Sequence, residues 1–185
     1  MEQITKEELL DVIGKFELGD NTEVVSVEPY GSGHINDTFR LEVKEDGQEK
    51  LYILQRMNKD IFKNQKELME NILQVTSFLT DKIKAQGGDP NRETLQVIPT
   101  KEGKSYLIEA NGDGWRVYPF ITDSLSFDKA DTPEAMKKSG YAFGNFQYLL
   151  SDFPAEKLHE TIPDFHNTVD RYAKFEQAVQ EDVMG

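Results

Sequence analysis

The stretch Glu28-Pro29-Tyr30-Gly31-Ser32-Gly33-His34-Ile35-Asn36-Asp37-Thr38 decides how this chain reads. A lone Gly-x-Gly is a weak signal, because most such loops are tight turns, so its meaning comes from its flanks. Before it, Val25 and Val27 alternate with polar neighbours, as in a strand that ends at Pro29. After it, Phe39, Leu41 and Val43 alternate up to Glu45-Asp46-Gly47, a hairpin turn, and Leu51 to Met57 forms the return strand. Only from about Asp60 to Lys84 does the period become helical, with Leu68, Ile72, Val75 and Leu79 on one stripe. The glycine loop therefore joins strand to strand. In a dinucleotide fold or a P-loop enzyme it would run from strand into helix.

Working outward, Thr5-Lys6-Glu7-Glu8 reads as a capping box. It heads a helix in which Leu9, Ile13 and Phe16 share a face, with Gly19 as its stop. Downstream, Gly87-Gly88-Asp89-Pro90 ends the long helix. Three strand-like runs follow, Thr94 to Pro99, Ser105 to Glu109 and Trp115 to Phe120, connected by turns at Lys101-Glu102-Gly103-Lys104 and Asn111-Gly112-Asp113-Gly114. Residues 121–131 form a polar connector. Thr132-Pro133 opens a helix with Met136, Phe143, Phe146 and Leu150 on its apolar face. Loops around Phe153-Pro154 and Ile162-Pro163 lead to a last helix from about Val169. The expected fold class is α+β: an antiparallel sheet of about five strands with one long helix over residues 1–120, then a hinge and helices of an all-α part over residues 121–185.

The composition narrows the class. With 185 residues, a chain buries roughly 70% of its unfolded surface and needs no disulfide or metal to hold it. Eleven Phe and seven Tyr argue against disorder. The 34 Asp plus Glu against 21 Lys plus Arg give a formal charge of −13, which disfavours nucleic acid and anionic membranes as partners. The absence of cysteine excludes thiolate catalysis, Cys-ligated zinc and disulfides, and fits a cytosolic protein. The N-terminus Met1-Glu2-Gln3-Ile4-Thr5-Lys6 lacks the apolar run of a signal peptide, and no stretch approaches about 18 apolar residues. A cytoplasmic location is the expectation.

A glycine hairpin followed by a third strand and then a long helix is the arrangement in which kinases lay a glycine loop over nucleotide phosphates. A plain β-turn is the competing reading of the loop alone. Further blocks sharpen the comparison. Glu28 to Asn36, Tyr52-Ile53-Leu54-Gln55-Arg56-Met57-Asn58, Trp115-Arg116-Val117-Tyr118-Pro119-Phe120-Ile121, Ala142-Phe143-Gly144-Asn145-Phe146-Gln147 and Ile162-Pro163-Asp164-Phe165-His166-Asn167-Thr168 occur in order. Together they resemble successive blocks of N-acetylhexosamine 1-kinases, within the aminoglycoside phosphotransferase and choline kinase-like family.

That resemblance implies a protein kinase-like, two-lobed fold. It also implies transfer of the ATP γ-phosphate, with magnesium, to the anomeric hydroxyl of an N-acetylhexosamine. Carried over by position, Gly31, Ser32, Gly33, His34 and Asn36 are the phosphate loop. Ile53 and Gln55 fall where many kinases read Val-Ala-Ile-Lys, with Gln55 in place of the phosphate-gripping Lys. An amide donates to a phosphate oxygen but cannot neutralise its charge. Glu67 and Glu70 on the long helix then lack a lysine to pair with. Tyr118, Pro119, Phe120 and Ile121 are the hinge that holds adenine, the Pro119 carbonyl accepting from its amine and the Ile121 N–H donating to its ring. His34 has a candidate role toward sugar or phosphate. His159 reads as a loop residue, and His166 as one that holds the start of the last helix.

Kinase chemistry also needs a His-x-Asp loop with an Asn about five residues on, and a later metal-binding Asp. None of the three histidines opens such a motif, and there is no Asp-Phe-Gly. No catalytic residue and no metal ligand is assigned within the chain. The missing elements are expected beyond Gly185, in the rest of a C-terminal lobe, and residues 1–185 alone are expected to be inactive. Two alternatives stand beside this reading. One is a non-catalytic nucleotide- or partner-binding module of degenerate kinase type. The other is the same fold acting on an aminoglycoside, choline or homoserine. Exposed faces around Phe143, Phe146 and Phe165 make a homodimer an expectation for the isolated chain.

Overall fold

The computed structural model describes residues 4–125, 127, 129–182 and 185. Ser126 and Asp128 of the expected connector, and the first three residues of the N-terminal stretch, lie outside the described residues.

The chain begins with helix α1 (Lys6–Ile13), capped as expected: the Thr5 N–H donates to Glu8 Oε2 at 2.7 Å, and the Glu8 N–H donates to Thr5 Oγ1 at 3.3 Å. It stops at Gly14 rather than Gly19. The reason is a competing pairing. The Glu17 N–H donates to the Pro99 carbonyl at 2.8 Å and the Lys101 N–H to the Lys15 carbonyl at 2.9 Å, pulling residues 15–17 into a bridge. Phe16 keeps its place in the core, 1% exposed, from outside the helix.

Strands β1 (Thr22–Pro29), β2 (Asp37–Glu45), β3 (Gln48–Met57), β4 (Leu107–Ile108) and β5 (Gly114–Pro119) form one antiparallel sheet in the order β1-β2-β3-β5-β4. Asp46 and Gly47 make the two-residue β2–β3 loop, with φ of 49° and 81°. Positive φ at both positions is what the twist of a tight hairpin requires, and Gly47 adopts it without a steric cost. In β1 the register shifts between Val24 and Ser26. This bulge turns Val25 outward, 47% exposed, while Val24 and Val27 pack on the core, so the simple Val25/Val27 alternation does not hold.

Two expected strands are shorter than their sequence runs. Residues 94–99 form no strand; Ile98 and Thr100 make single bridges to Val117 and Phe16. A one-turn helix α3 (Pro90–Glu93) captures the Thr94 N–H, and Pro99 has no N–H to give to a ladder. The outer edge of β5 is divided between Ile98 and the two residues of β4.

One face of the sheet carries the main core. Leu9, Val12, Ile13, Phe16 and Leu18 pack against Phe39, Leu41, Val43, Leu54, Trp115 and Val117. Each such buried side chain contributes about 1.5–3 kcal/mol. Helix α2 (Gln65–Ala85) lies against the other face and starts later than Asp60, because Asn64 caps it and Asn58 organises the turn before it. Its buried residues are Gln65, Met69, Leu79 and Ile83, and of the expected stripe only Leu79 is buried.

The remaining elements are α4 (Pro133–Leu149), a 3₁₀ turn at Ala155–Lys157 and α5 (Thr168–Glu181). Leu149 packs with Leu79 and Ile83 of α2, Phe153 meets Phe78 edge-on at 5.2 Å, and Asp152 pairs with Lys82. Asn71 grips the following segment, exchanging two hydrogen bonds of 2.8 and 2.9 Å with the His159 backbone. The expected apolar face of α4 is nevertheless open: Met136 is 61%, Phe143 69% and Phe146 47% exposed. Among the described residues, no helix is long and apolar enough to cross a membrane.

Candidate functional site

Side-chain alternation sorts the candidate residues onto sheet faces. Phe39, Leu54 and Trp115 belong to the α1-side core, so their neighbours Thr38, Arg40, Ile53, Gln55, Arg116 and Tyr118 belong to the α2 side. Register aligns them in rows: Thr38 opposite Gln55 opposite Arg116, and Arg40 opposite Ile53 opposite Tyr118. Ile53, Gln55 and Tyr118, chosen from sequence, are thus brought together.

The glycine loop joins β1 to β2 at the corner of the sheet, closed at its base by the Tyr30 N–H donating to the Thr38 carbonyl at 2.8 Å. Gly31 has φ 82°, which a side chain resists. A Cβ built on Gly31 or Gly33 meets no atom within 4 Å, so both backbone segments face open space. Asn58 tethers the loop's far end. Its N–H donates to Asn36 Oδ1 and its Nδ2 to the Ile35 carbonyl, both at 2.9 Å, while its Oδ1 accepts from the Asp60 and Ile61 N–H groups. Ser32 and His34 are exposed on the loop.

The loop touches the expected hinge at one point. The Tyr30 and Phe120 rings meet edge-on at 5.4 Å, with the Arg40 guanidinium 6.0 Å from the Phe120 centroid. Because Arg40 belongs to the α2-side face, this ring pair lies beside Ile53, which is only 6% exposed. The chain leaves β5 with the Phe120 N–H donating to the Leu51 carbonyl at 3.0 Å. Ile121 is 44% exposed, and among the described residues its N–H has no acceptor.

The most informative contact is one that sequence reasoning missed. Arg116 donates through Nε (3.0 Å) and Nη2 (2.6 Å) to Gln55 Oε1, and Gln55 Nε2 donates to Thr38 Oγ1 at 2.9 Å. Arg116 Nη1 also approaches Met69 Sδ at 3.8 Å. No ion pair joins Arg116 to a carboxylate among the described residues, and burial pushes its pKa down from the usual arginine value. Neither helix acid serves it: Glu70 pairs with His159 Nε2 at 2.8 Å and with Lys66 at 3.6 Å. Alternation around Trp115 and Val117 marks Arg116 as facing away from the core, but only strand order sets it beside Gln55. Tyr118 is half-buried, and desolvation raises its pKa.

On the α1 side of the loop, Arg56 binds Asp37 at 2.8 and 2.6 Å and Asp113 at 3.1 Å; Lys59 binds Asp113 at 2.7 Å. This network fixes the start of β2, immediately after the loop. A cavity of about 480 Å³ there is lined by Ile4, Tyr30, Gly31, Gly33, Asn36 and Arg56, and does not include Ile53, Gln55 or the hinge. A cavity of about 1140 Å³ lies between the 100–110 hairpin and α2, is lined by Glu70 among others, and includes none of the glycine-loop residues, Ile53, Gln55 or residues 118–121. His159 does more than occupy a loop, since it joins that loop to Glu70. His166 stacks edge-on with Phe165 at 4.8 Å, and the cap of α5 is Asn167, not His166. Among the described residues there is no cluster of three His, Asp or Glu side chains arranged for a metal.

No family model matches the chain.

Proposed function

We propose that this chain is the ATP-binding part of a small-molecule kinase that passes the γ-phosphate to a sugar hydroxyl, in first place the anomeric hydroxyl of an N-acetylhexosamine. The observation that carries the reading is topological: the glycine loop is a β1–β2 hairpin, and α2 enters only after β3, with a connector leaving β5 on the far side of Gln55. The residues present suit ATP. Gly31 and Gly33 leave room for phosphate oxygens to approach backbone N–H groups, and the Ile121 N–H, without an acceptor among the described residues, can donate to a purine nitrogen.

Among the described residues no three His, Asp or Glu side chains converge on a metal position. Within this reading, none of the described residues is assigned as a metal ligand or as the base that receives the hydroxyl proton. What this chain does is bind and orient the nucleotide. Calorimetric titration with ATP tests it: binding is expected, and Ile121→Pro is expected to abolish it with the fold intact. No heat with millimolar ATP, or unchanged affinity in the variant, overturns the reading. Formation of sugar-1-phosphate by the purified chain would overturn the division of labour.

A further inference from the structure

Arg116 poses a physical problem. A guanidinium carries five N–H donors and a charge that is costly to desolvate. Gln55 Oε1 takes two of these donors and Met69 Sδ takes a third. Two N–H groups and the full positive charge are left without an anion among the described residues. In a chain carrying 34 acidic residues, this half-buried arginine has no carboxylate partner among the described residues, so its charge is available to an anion. The row Arg116–Gln55–Thr38 leads directly to the glycine loop, since Thr38 closes its base.

We propose that Arg116, from β5, supplies the phosphate-neutralising charge that Gln55, from β3, lacks, with Gln55 holding the guanidinium fork toward the loop. The inference rests on the nucleotide reading above and assigns the polyphosphate to this row. Gln55 is then a positioning residue whose carbonyl orients the arginine and whose amide is committed to Thr38. Arginine suits the place better than lysine, because its planar fork satisfies Gln55 and still presents donors to a phosphate.

The test compares ATP with adenosine by calorimetry, using wild type, Arg116→Gln and the double variant Gln55→Lys/Arg116→Gln. Arg116→Gln is expected to weaken ATP by about 10- to 100-fold, the range of a charge-assisted hydrogen bond, and to leave adenosine unchanged. The double variant returns the charge to β3 and is expected to recover most of the ATP affinity. In wild type, the Arg116 Nε resonance is expected to shift on adding ATP and to stay in place with adenosine. Equal ATP affinity in wild type and Arg116→Gln overturns this inference alone. Parallel loss of ATP and adenosine, or a folded double variant that does not recover, marks a structural role and overturns it too. Should Arg116→Gln not fold, an unmoved Nε resonance in wild type still refutes the proposal. Failure of wild type to bind either nucleoside compound refutes the underlying nucleotide reading instead.

Discussion

Replacing Arg56 with methionine is expected to destabilise the protein by about 2–4 kcal/mol. The side chain of Arg56 is 10% exposed and binds Asp37, itself 25% exposed, through two nitrogens at 2.8 and 2.6 Å. Its guanidinium also reaches Asp113 at 3.1 Å and lies 5.8 Å from the Trp115 ring. Removing one partner of a buried ion pair costs about 3–5 kcal/mol because the other charge stays behind. Two features reduce that here: Asp37 retains some water, and Asp113 keeps Lys59 at 2.7 Å. Methionine preserves the aliphatic stem over Trp115, so the measured loss reports the charge rather than a cavity. Urea denaturation at neutral pH supplies the number. The decisive comparison adds Asp37→Asn, which removes the stranded carboxylate. The double variant Arg56→Met/Asp37→Asn is expected to be more stable than the sum of the single effects by over about 1 kcal/mol. A single-variant loss below about 1 kcal/mol, or strict additivity, refutes the argument.

Gly114→Ala places a methyl 1.5 Å from Gln65 Oε1 and 2.9 Å from Met57 Cε. Gln65 must then abandon its hydrogen bond to the Gly112 carbonyl, a loss of about 2–3 kcal/mol by thermal unfolding, and an unchanged midpoint refutes it. Asn71→Ala leaves the His159 N–H and carbonyl unpaired, so exchange of the His159 amide is expected to accelerate at least about fivefold; unaltered protection counts against that clamp. Burial alone raises the Asp113 pKa, but Lys59 and Arg56 together hold it below its ordinary 3.8. Its contribution is therefore present above that pH and lost as pH falls below it, and Lys59→Met should move the acid unfolding limb to higher pH. Tyr52 runs the other way: desolvation and the Glu45 carboxylate, 2.6 Å from its hydroxyl, push its pKa up. Its contribution is present below the ordinary tyrosine value of 10.0 and lost as pH rises beyond it, so Tyr52→Phe should flatten the alkaline limb.

What the sequence determined by itself is whatever a short window can enforce. The Thr5–Glu8 capping box, the Asp46-Gly47 turn and the return strand through Leu51–Met57 each depend on neighbours within a few residues, and each appears as expected. Tertiary structure decided wherever distant groups compete for the same donors and acceptors. Residues 15–17 leave the helix because residues 99–101 offer backbone partners, and 94–99 stay out of the sheet because α3 and Pro99 remove N–H groups from the ladder. The bulge at Val25 is set by how β1 registers on β2, which no periodicity within β1 records. The loop was legible from its glycines and flanking strands, and Ile53, Gln55 and Tyr118 became candidates through the resemblance of the short blocks that contain them. Arg116 was not legible: its meaning comes from lying opposite Gln55, 61 residues away, across a strand pair whose intervening chain contains α2 and the 100–110 hairpin. An isolated arginine on a strand is an ordinary solvated charge. The same arginine, partly desolvated and held by the Gln55 amide and the Met69 sulfur, becomes the proposed anion-binding group, and only the assembled fold makes that difference.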